Sequence, residues 1–462
     1  MSHSVSRFLA RLHQILPANA ILTEPADRWP YGYDNSRRHT LPKAVAFPRD
    51  AHQVQACVQL CNEFEMPVVA RGRGTGTTGA AVPVRGGLVL AMERMARIIA
   101  VDPANRVMVV EPGVTNQEVQ EAATAHGFFW APDPTSAEFC TVGGNLACNS
   151  AGPRAVKYGT ARENTLGLRA VTGAGEIIRT GVYTTKGVVG YDLTRLIIGS
   201  EGTLAVITEA TLKLTPLPEA RRILQAVYAD MEAAAAAVTR IMTQAVTPCA
   251  LEMMDGAAIE MIRTYSEAVL PEKAGGLLMI EVDGPIVGLE EAVTQVAAAA
   301  RGTGLLELHS AVTKEETAAL WATRKALSPA LRTVAPKKIN EDVVVPISRM
   351  AELVAGLRLI GTEQGIPIVN FGHAGNGNIH VNLLVDPDNS RQMAGVDRCL
   401  DQVFDLVLNL GGTLSGEHGV GLQKRDLVDR EIDPVTLALM RQIKTVFDPR
   451  GILNPDKVFP LQ

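Results

Sequence analysis

Apolar residues recur at two periods along the chain, and the change of period marks its organisation. Phe8, Leu9, Leu12, Ile15 and Leu16 fall on one side of a helix and predict an amphipathic opening helix. Val54, Cys57, Val58 and Cys61 repeat that spacing behind Asp50, an N-cap residue, and predict a second helix. Between residues 40 and 215 or so, short β-rich runs at 43–47, 67–70, 88–92, 107–111, 169–172, 176–179 and 204–214 predict strands, separated by helical stretches and many glycines. Thr215-Pro216-Leu217-Pro218 punctuates the chain as a linker does. Beyond it, Ala-rich helices predicted over 231–244 and 288–301 alternate with strands such as 276–282, which points to an α+β domain whose sheet is covered by helices on one face. The chain divides into residues 1–218, 219–415 and 416–462, the last segment returning to the first domain.

Composition narrows the function classes. The 462 residues are 47% hydrophobic with a formal net charge of -5, enough for two or three globular domains and without the basic bias of a nucleic-acid partner. No apolar run approaches the roughly 20 residues that span a bilayer. Six cysteines, at 57, 61, 140, 148, 249 and 399, form neither a CxxC pair nor an iron–sulfur cluster spacing. Buried thiols in a reducing cytoplasm are the reading, with at most a peripheral association with membrane. The amino terminus has no acid until Glu24 and carries Arg7 and Arg11, a faint transit-peptide character that the amphipathic helix explains as well.

Three glycine-rich segments lie beside the predicted strands of the first domain. Arg71-Gly72-Arg73-Gly74-Thr75-Gly76-Thr77-Thr78-Gly79 contains a G-x-G-x-x-G match, but a Rossmann unit needs a helix directly afterwards, and Pro83 with Gly86-Gly87 interrupts one. A P-loop is excluded because no Gly-Lys-Ser/Thr follows. What remains is a run of backbone N–H groups and threonine hydroxyls suited to wrapping a diphosphate. Ala131-Pro132-Asp133-Pro134-Thr135-Ser136 leads into Thr141-Val142-Gly143-Gly144-Asn145-Leu146-Ala147-Cys148-Asn149-Ser150-Ala151-Gly152, a second loop of small residues and amide side chains. Ile198-Gly199-Ser200-Glu201-Gly202-Thr203-Leu204 is the third, running on to Ile207. Together they imply close backbone approach to a large, flat, phosphate-bearing ligand.

The second domain holds a different chemistry. Segments 366–372 and 378–384 read as strands joined by Gly375, Asn376 and Gly377, which favour positive φ in a tight turn. Such a hairpin sets His373 and His380 across from each other, with Asn378, His380 and Asn382 on a polar face and Ile379, Val381 and Leu383 on a core face. Two imidazoles so placed can meet one divalent ion, and Glu417 of Ser415-Gly416-Glu417-His418-Gly419 would complete a two-His, one-carboxylate set. The plainer alternative is a pair of buried histidines hydrogen-bonded to Gly-rich backbone.

The motifs Arg71-Gly-x-Gly-Thr-Gly, Pro132-Asp-Pro, Gly143-Gly-Asn, Gly199-Ser-Glu-Gly-Thr-Leu and Gly451-Ile-Leu-Asn-Pro-Asp-Lys resemble those of the vanillyl-alcohol oxidase/p-cresol methylhydroxylase (VAO/PCMH) type of FAD-binding fold. More narrowly they resemble the D-2-hydroxy acid dehydrogenases, which include D-lactate dehydrogenase, the glycolate oxidase flavin subunit and D-2-hydroxyglutarate dehydrogenase. The resemblance runs from about residue 40 to the carboxyl end. It implies an α+β fold of VAO/PCMH type, with a FAD-binding domain of two subdomains and a substrate cap with an antiparallel sheet. FAD would be noncovalent, since the first Gly-rich loop has no His or Cys, and Cys140 is the one reservation. Its contacts would come from Arg71, Gly72, Arg73, Gly74, Thr75, Gly76 and Thr77; from Pro132, Ser136, Thr141, Gly143, Gly144, Asn145, Asn149, Ala151 and Gly152; and from Glu201, Gly202, Ile207 and Asn454.

The metal-dependent members of that family carry matching His, His and Glu, so the resemblance implies a divalent ion, Zn foremost with Mn or Fe as alternatives, on His373, His380 and Glu417. It implies His418 as the base, Arg324 in Leu320-Trp321-Ala322-Thr323-Arg324 as carboxylate clamp, and Asn382 as a second substrate contact. One departure is visible: Asn376 stands where those members usually have Asp. Oxidising an alcohol needs a hydride acceptor and a base for the hydroxyl proton, and an imidazole serves near neutral pH. The expected partners are a small 2-hydroxy acid, D-lactate before D-2-hydroxyglutarate or glycolate, and an electron acceptor such as a quinone, an electron-transfer flavoprotein or a cytochrome; a homodimer is compatible. Two other readings are a flavin-dependent transferase resembling the alkyl-dihydroxyacetone-phosphate synthases and an accessory flavoprotein subunit.

Overall fold

A computed structural model describes residues 3–265, 270–311, 313, 315–318, 320–321, 327, 331 and 336–461. The chain forms two compact units. The first comprises Met1–Gly152, Gly159–Leu217 and Glu417–Gln462, the second Pro153–Tyr158 and Pro218–Gly416.

The first unit holds two main sheets. β1 (Ile21–Leu22), β2 (Ala44–Ala46), β3 (Val68–Arg71) and β4 (Leu88–Ala91) take the order β1-β2-β4-β3, with β2, β4 and β3 parallel. β5 (Ile98–Asp102), β6 (Val107–Val110), β8 (Thr165–Thr172), β9 (Ile177–Gly181) and β10 (Ala205–Lys213) are antiparallel in the order β5-β6-β10-β8-β9, and β7 (Phe128–Phe129) pairs with β11 (Thr215–Pro216). The opening helix, His3–Ile15, buries Phe8, Leu9 and Leu12 in the core of the first sheet. The helix Ala51–Glu63 is capped by Asp50, whose carboxylate accepts from Gln53 N at 2.9 Å, and it buries Val54, Cys57, Val58 and Cys61 in that core. Ile452 and Leu453 join the same cluster, and Val68 N donates to Ile452 O at 2.8 Å, which ties the carboxyl-terminal segment beside β3.

The second unit is built on one seven-stranded sheet. β12 (Ala220–Tyr228), β13 (Ala250–Asp255), β14 (Gly276–Gly284), β15 (Leu305–Ala311), β16 (Lys337–Val344), β17 (Ile368–His373) and β18 (Asn378–Val385) lie in the order β15-β12-β14-β13-β17-β18-β16, every pair antiparallel. Helices cover both faces, not one. Leu277 and Met279 of β14 pack with Ala258, Ile259 and Ile262 of the helix Gly256–Tyr265. On the alternate positions, a Cβ on Gly276 would sit 2.9 Å from Ala234 of the helix Met231–Thr243. The consecutive apolar run Leu277-Leu278-Met279-Ile280 is what a strand buried on both sides requires, and all four are buried. No helix among the described residues is long and apolar enough to cross a membrane.

Asp255 joins two layers of this unit. Its Oδ1 accepts from Ala258 N at 2.8 Å at the start of the helix, and its Oδ2 accepts from the N and Nδ2 of Asn370 on β17, both at 2.9 Å. Burial pushes the carboxyl up from 3.8 to about 6. Between those pH values the folded chain keeps a proton that the unfolded chain has released, so this group's contribution is full at low pH and is lost as pH rises to about 6. Urea unfolding of Asp255→Asn against the parent should show that difference, roughly 2 kcal/mol, between pH 4 and pH 7.

Candidate functional site

The glycine-rich segments of the first unit converge on one cleft. It is lined by Ala70, Arg71 and Gly72 from the end of β3, by Thr141, Gly143, Gly144 and Ala147, and by Ser200, Glu201, Gly202, Ala205 and Ile207. Met92, Pro112 and Ile197 supply apolar wall that the motifs did not mark. The segments touch directly: a Cβ on Gly72 would collide with Oγ1 of Thr141, so the first loop must be glycine there. Residues 141–152, expected as a loop, begin with a short helix, Val142–Cys148, because Thr141 caps it by accepting from Gly144 N and Asn149 ends it in the left-handed conformation, φ 52°.

The larger side chains around the cleft are spent inside the protein. Arg71 donates from Nη1 to Tyr33 O at 2.7 Å and from Nη2 to Pro30 O at 3.2 Å. Arg73 pairs with Glu93 at 3.5 Å. Asn145 accepts from Asn116 Nδ2 at 3.2 Å and donates to Cys140 Sγ at 3.3 Å; Asn149 Oδ1 accepts from Thr160 Oγ1 and Arg162 N. Asn454 donates to Glu201 O at 2.7 Å and Ala80 O at 2.9 Å. Of the other nominated residues, Gly74, Thr75, Gly76 and Thr77 continue the first loop beyond the lining. Pro132, Ser136, Ala151 and Gly152 flank the second segment, and Gly152 holds φ 136° against Asp133. The cleft therefore offers mainly backbone amides and small side chains to a ligand. Ser200 Oγ is buried there with no partner, an orphaned donor that a bound polyol or phosphate would satisfy. That chemistry fits FAD.

The segment carrying His418 is also held within this unit. Val420 N donates to Glu201 Oε1 at 2.6 Å, Gly421 N to Glu201 Oε2 at 2.8 Å, and Leu422 N to Thr78 O at 2.8 Å. Glu417 and His418 are half-buried.

In the second unit the two histidines meet, though in a register the hairpin spacing did not predict. Phe371 lies opposite His380, so His373 sits diagonally across on the same face instead of directly opposite, and the two ring centroids are 5.2 Å apart. Of the turn residues only Gly377 takes positive φ, 73°, while Ala374–Asn376 forms a 3-10 turn. β18 is buried along its whole length, so the polar face of Asn378, His380 and Asn382 is enclosed like the core face of Ile379, Val381 and Leu383 behind it.

Carboxylates that sequence reading missed back both rings. His373 Nδ1 donates to Glu252 Oε1 at 2.5 Å, which leaves Nε2 as the lone-pair nitrogen. Asp342 Oδ1 lies 3.9 Å from His380 Nδ1. Asp342 also accepts from Asn378 Nδ2 at 2.6 Å, Ser415 Oγ at 3.2 Å and Gly416 N at 2.8 Å, so it fixes the peptide that leads directly into Glu417. Both acids are fully buried.

Asn382, nominated as a substrate contact, is also fully buried; it donates to Val369 O and His380 O, both at 3.0 Å, and accepts from Asn340 Nδ2 at 2.8 Å. Its amide is thus occupied in holding β18 and the His380 peptide. Arg324 lies outside the described residues.

Comparison with known proteins assigns this architecture. The FAD binding domain matches residues 42–181, and the C-terminal domain of FAD linked oxidases matches residues 217–458. The chain is 38% identical over 435 residues to the glycolate oxidase subunit GlcD of Bacillus subtilis, covering 94% of this chain and 93% of that protein. It is 37% identical to a D-lactate dehydrogenase of Archaeoglobus fulgidus, over 93% of this chain and 95% of that protein. Among solved structures, p-cresol methylhydroxylase with substrate bound superposes at a TM-score of 0.81 with 18% identity, over 99% of this chain and 97% of that one. An alkyldihydroxyacetonephosphate synthase gives 0.74 with 21% identity, over 97% of this chain and 85% of that one. At those identities the likeness concerns the fold alone, which is of VAO/PCMH type. FAD is the cofactor, and the chain belongs to the family of FAD-linked oxidases.

Proposed function

We propose that the chain oxidises a D-2-hydroxy acid, D-lactate foremost, to the 2-oxo acid. Residues 1–218 and 416–462 would bind FAD noncovalently, and residues 219–415 would form the substrate cap. The observation that carries the reading is the pair of imidazoles on one sheet face, ring centroids 5.2 Å apart, with the Glu252 carboxylate on Nδ1 of His373 leaving that ring's Nε2 as the ligand nitrogen. His373, His380 and Glu417 would hold a divalent ion, Zn before Mn or Fe. Bound FAD supplies a two-electron acceptor at N5, and the ion a Lewis acid for the substrate's hydroxyl and carboxylate oxygens.

The chain's own residues do the rest. His418 takes the hydroxyl proton, Arg324 pairs with the substrate carboxylate, and Asn382 keeps the His380 peptide in register. Relatives named D-lactate dehydrogenase and glycolate oxidase subunit support the substrate class. Electrons would leave to a quinone, an electron-transfer flavoprotein or a cytochrome. Turnover with an artificial acceptor should give the highest kcat/KM for D-lactate, ahead of glycolate and D-2-hydroxyglutarate; a higher value for either of those reassigns the substrate. Glu252→Ala should weaken metal retention about 10- to 100-fold, read by metal content after dialysis against graded chelator, and unchanged retention removes Glu252 from the site.

A further inference from the structure

The turn Gly199-Ser200-Glu201-Gly202 belongs to the flavin cleft, yet its one charged side chain points to a different task. Glu201 is 5% exposed and sits at φ 53°. The turn is fixed to the second cleft segment, because Glu201 N donates to Ala147 O at 2.8 Å and Gly199 N to Leu146 O at 2.9 Å. Its carboxylate accepts three hydrogen bonds from two consecutive main-chain amides, Val420 N at 2.6 Å and Gly421 N at 3.1 and 2.8 Å. Those amides lie two and three residues beyond His418.

The geometry admits little slack. A Cβ on Gly419, which holds φ 86°, would sit 2.6 Å from Glu201 Oε1. On the other side, Thr78 at the end of the first glycine-rich loop accepts from Leu422 N and Gln423 N through its carbonyl. Burial raises the Glu201 carboxyl above its usual range, and the Val420 and Gly421 amides, then the Lys457 ammonium, which itself bonds Val82 O at 2.7 Å and Asn454 Oδ1 at 3.1 Å, act against that rise. A buried carboxylate is costly unless its oxygens are satisfied, and here the bonds recorded to them come from the His418 segment.

We propose that Glu201 is a positioning residue that couples the flavin cleft to the His418 segment: the Ser200–Gly202 turn, which lines the cleft and would be ordered by bound FAD, would order residues 418–421 through the Glu201 carboxylate. Coupling of this kind is reciprocal, so the segment's order also strengthens FAD binding. The effect on rate rests on the reading of His418 as base; the coupling itself does not.

Amide hydrogen exchange of the full chain, with and without FAD, tests it. In the parent, FAD should slow exchange at Val420 and Gly421 by about tenfold or more. In Glu201→Gln, an NH2 group that cannot accept replaces the oxygen making the shorter bond to the Gly421 N–H, so the Gly421 amide should exchange faster and indifferently to FAD while FAD is still bound. That variant's kcat should fall with KM for the hydroxy acid little changed, and Glu201→Asp should lie between the two. Exchange at 420 and 421 that ignores FAD in the parent overturns the proposal without any variant, and so does parent-like protection of Gly421 in Glu201→Gln. A parent that oxidises no 2-hydroxy acid would sink the proposed function and leave the exchange result to stand by itself.

Discussion

Replacing His418 by alanine should lower the rate at which D-lactate bleaches the flavin by at least about a hundredfold while FAD stays bound. The two halves of that expectation come from different atoms. The segment is held by main-chain bonds from Val420, Gly421 and Leu422 to Glu201 and Thr78, none of which uses the imidazole, so those bonds survive truncation of the ring. What would be lost is the proposed acceptor for the hydroxyl proton, and a positioned base contributes about a hundredfold to ten-thousandfold. Anaerobic stopped-flow absorbance reads the rate, and the flavin-to-protein ratio after gel filtration reads the retention. Bleaching at the parent rate would take His418 out of the mechanism; loss of FAD would make it a structural residue.

Metal removal should be as severe. Lewis-acid assistance to an alkoxide-forming step is worth several kcal/mol, so stripping the ion with EDTA should leave less than about one hundredth of the parent rate, with recovery on adding Zn or Mn. His380→Ala should show the same loss without recovery. The ring it removes has its centroid 5.2 Å from that of His373, whose Nδ1 is held by the buried Glu252 carboxylate. Full activity in a preparation shown to be metal-free would defeat the metal assignment. The turn is where a difference from metal-dependent relatives would surface, since Asn376, not Asp, follows Gly375 there.

Much of this was legible in the sequence, and the parts that were not share a physical cause. Glycine next to apolar β runs marks close backbone approach, so the cleft-lining positions at Gly72, Gly143, Gly144 and Gly202 could be read from one dimension. The partners of the large polar side chains could not: Arg71 reaches Tyr33 O, Asn145 the side chain of Asn116, Asn149 the Arg162 N–H, and Asn454 Glu201 O, and no local motif names partners so distant in sequence. The two histidines were visible as a pair, and period-two alternation put them on one face, but their diagonal register depends on the 3-10 turn Ala374–Asn376.

Glu252 lies 121 residues from His373 and no local pattern links them. The available signal was its setting: a glutamate inside Ala250-Leu251-Glu252-Met253-Met254-Asp255, a strand buried at every position, needs a partner that justifies its burial. Asp342, equally buried in β16, carries the same signal.

Oxidation of a D-2-hydroxy acid at the flavin is read by mixing the holoenzyme anaerobically with D- and L-lactate in the absence of any electron acceptor. D-lactate should bleach the oxidised flavin completely with one pyruvate formed per flavin, and L-lactate should leave the spectrum unchanged. An oxidised flavin after prolonged incubation with D-lactate, glycolate and D-2-hydroxyglutarate would contradict it.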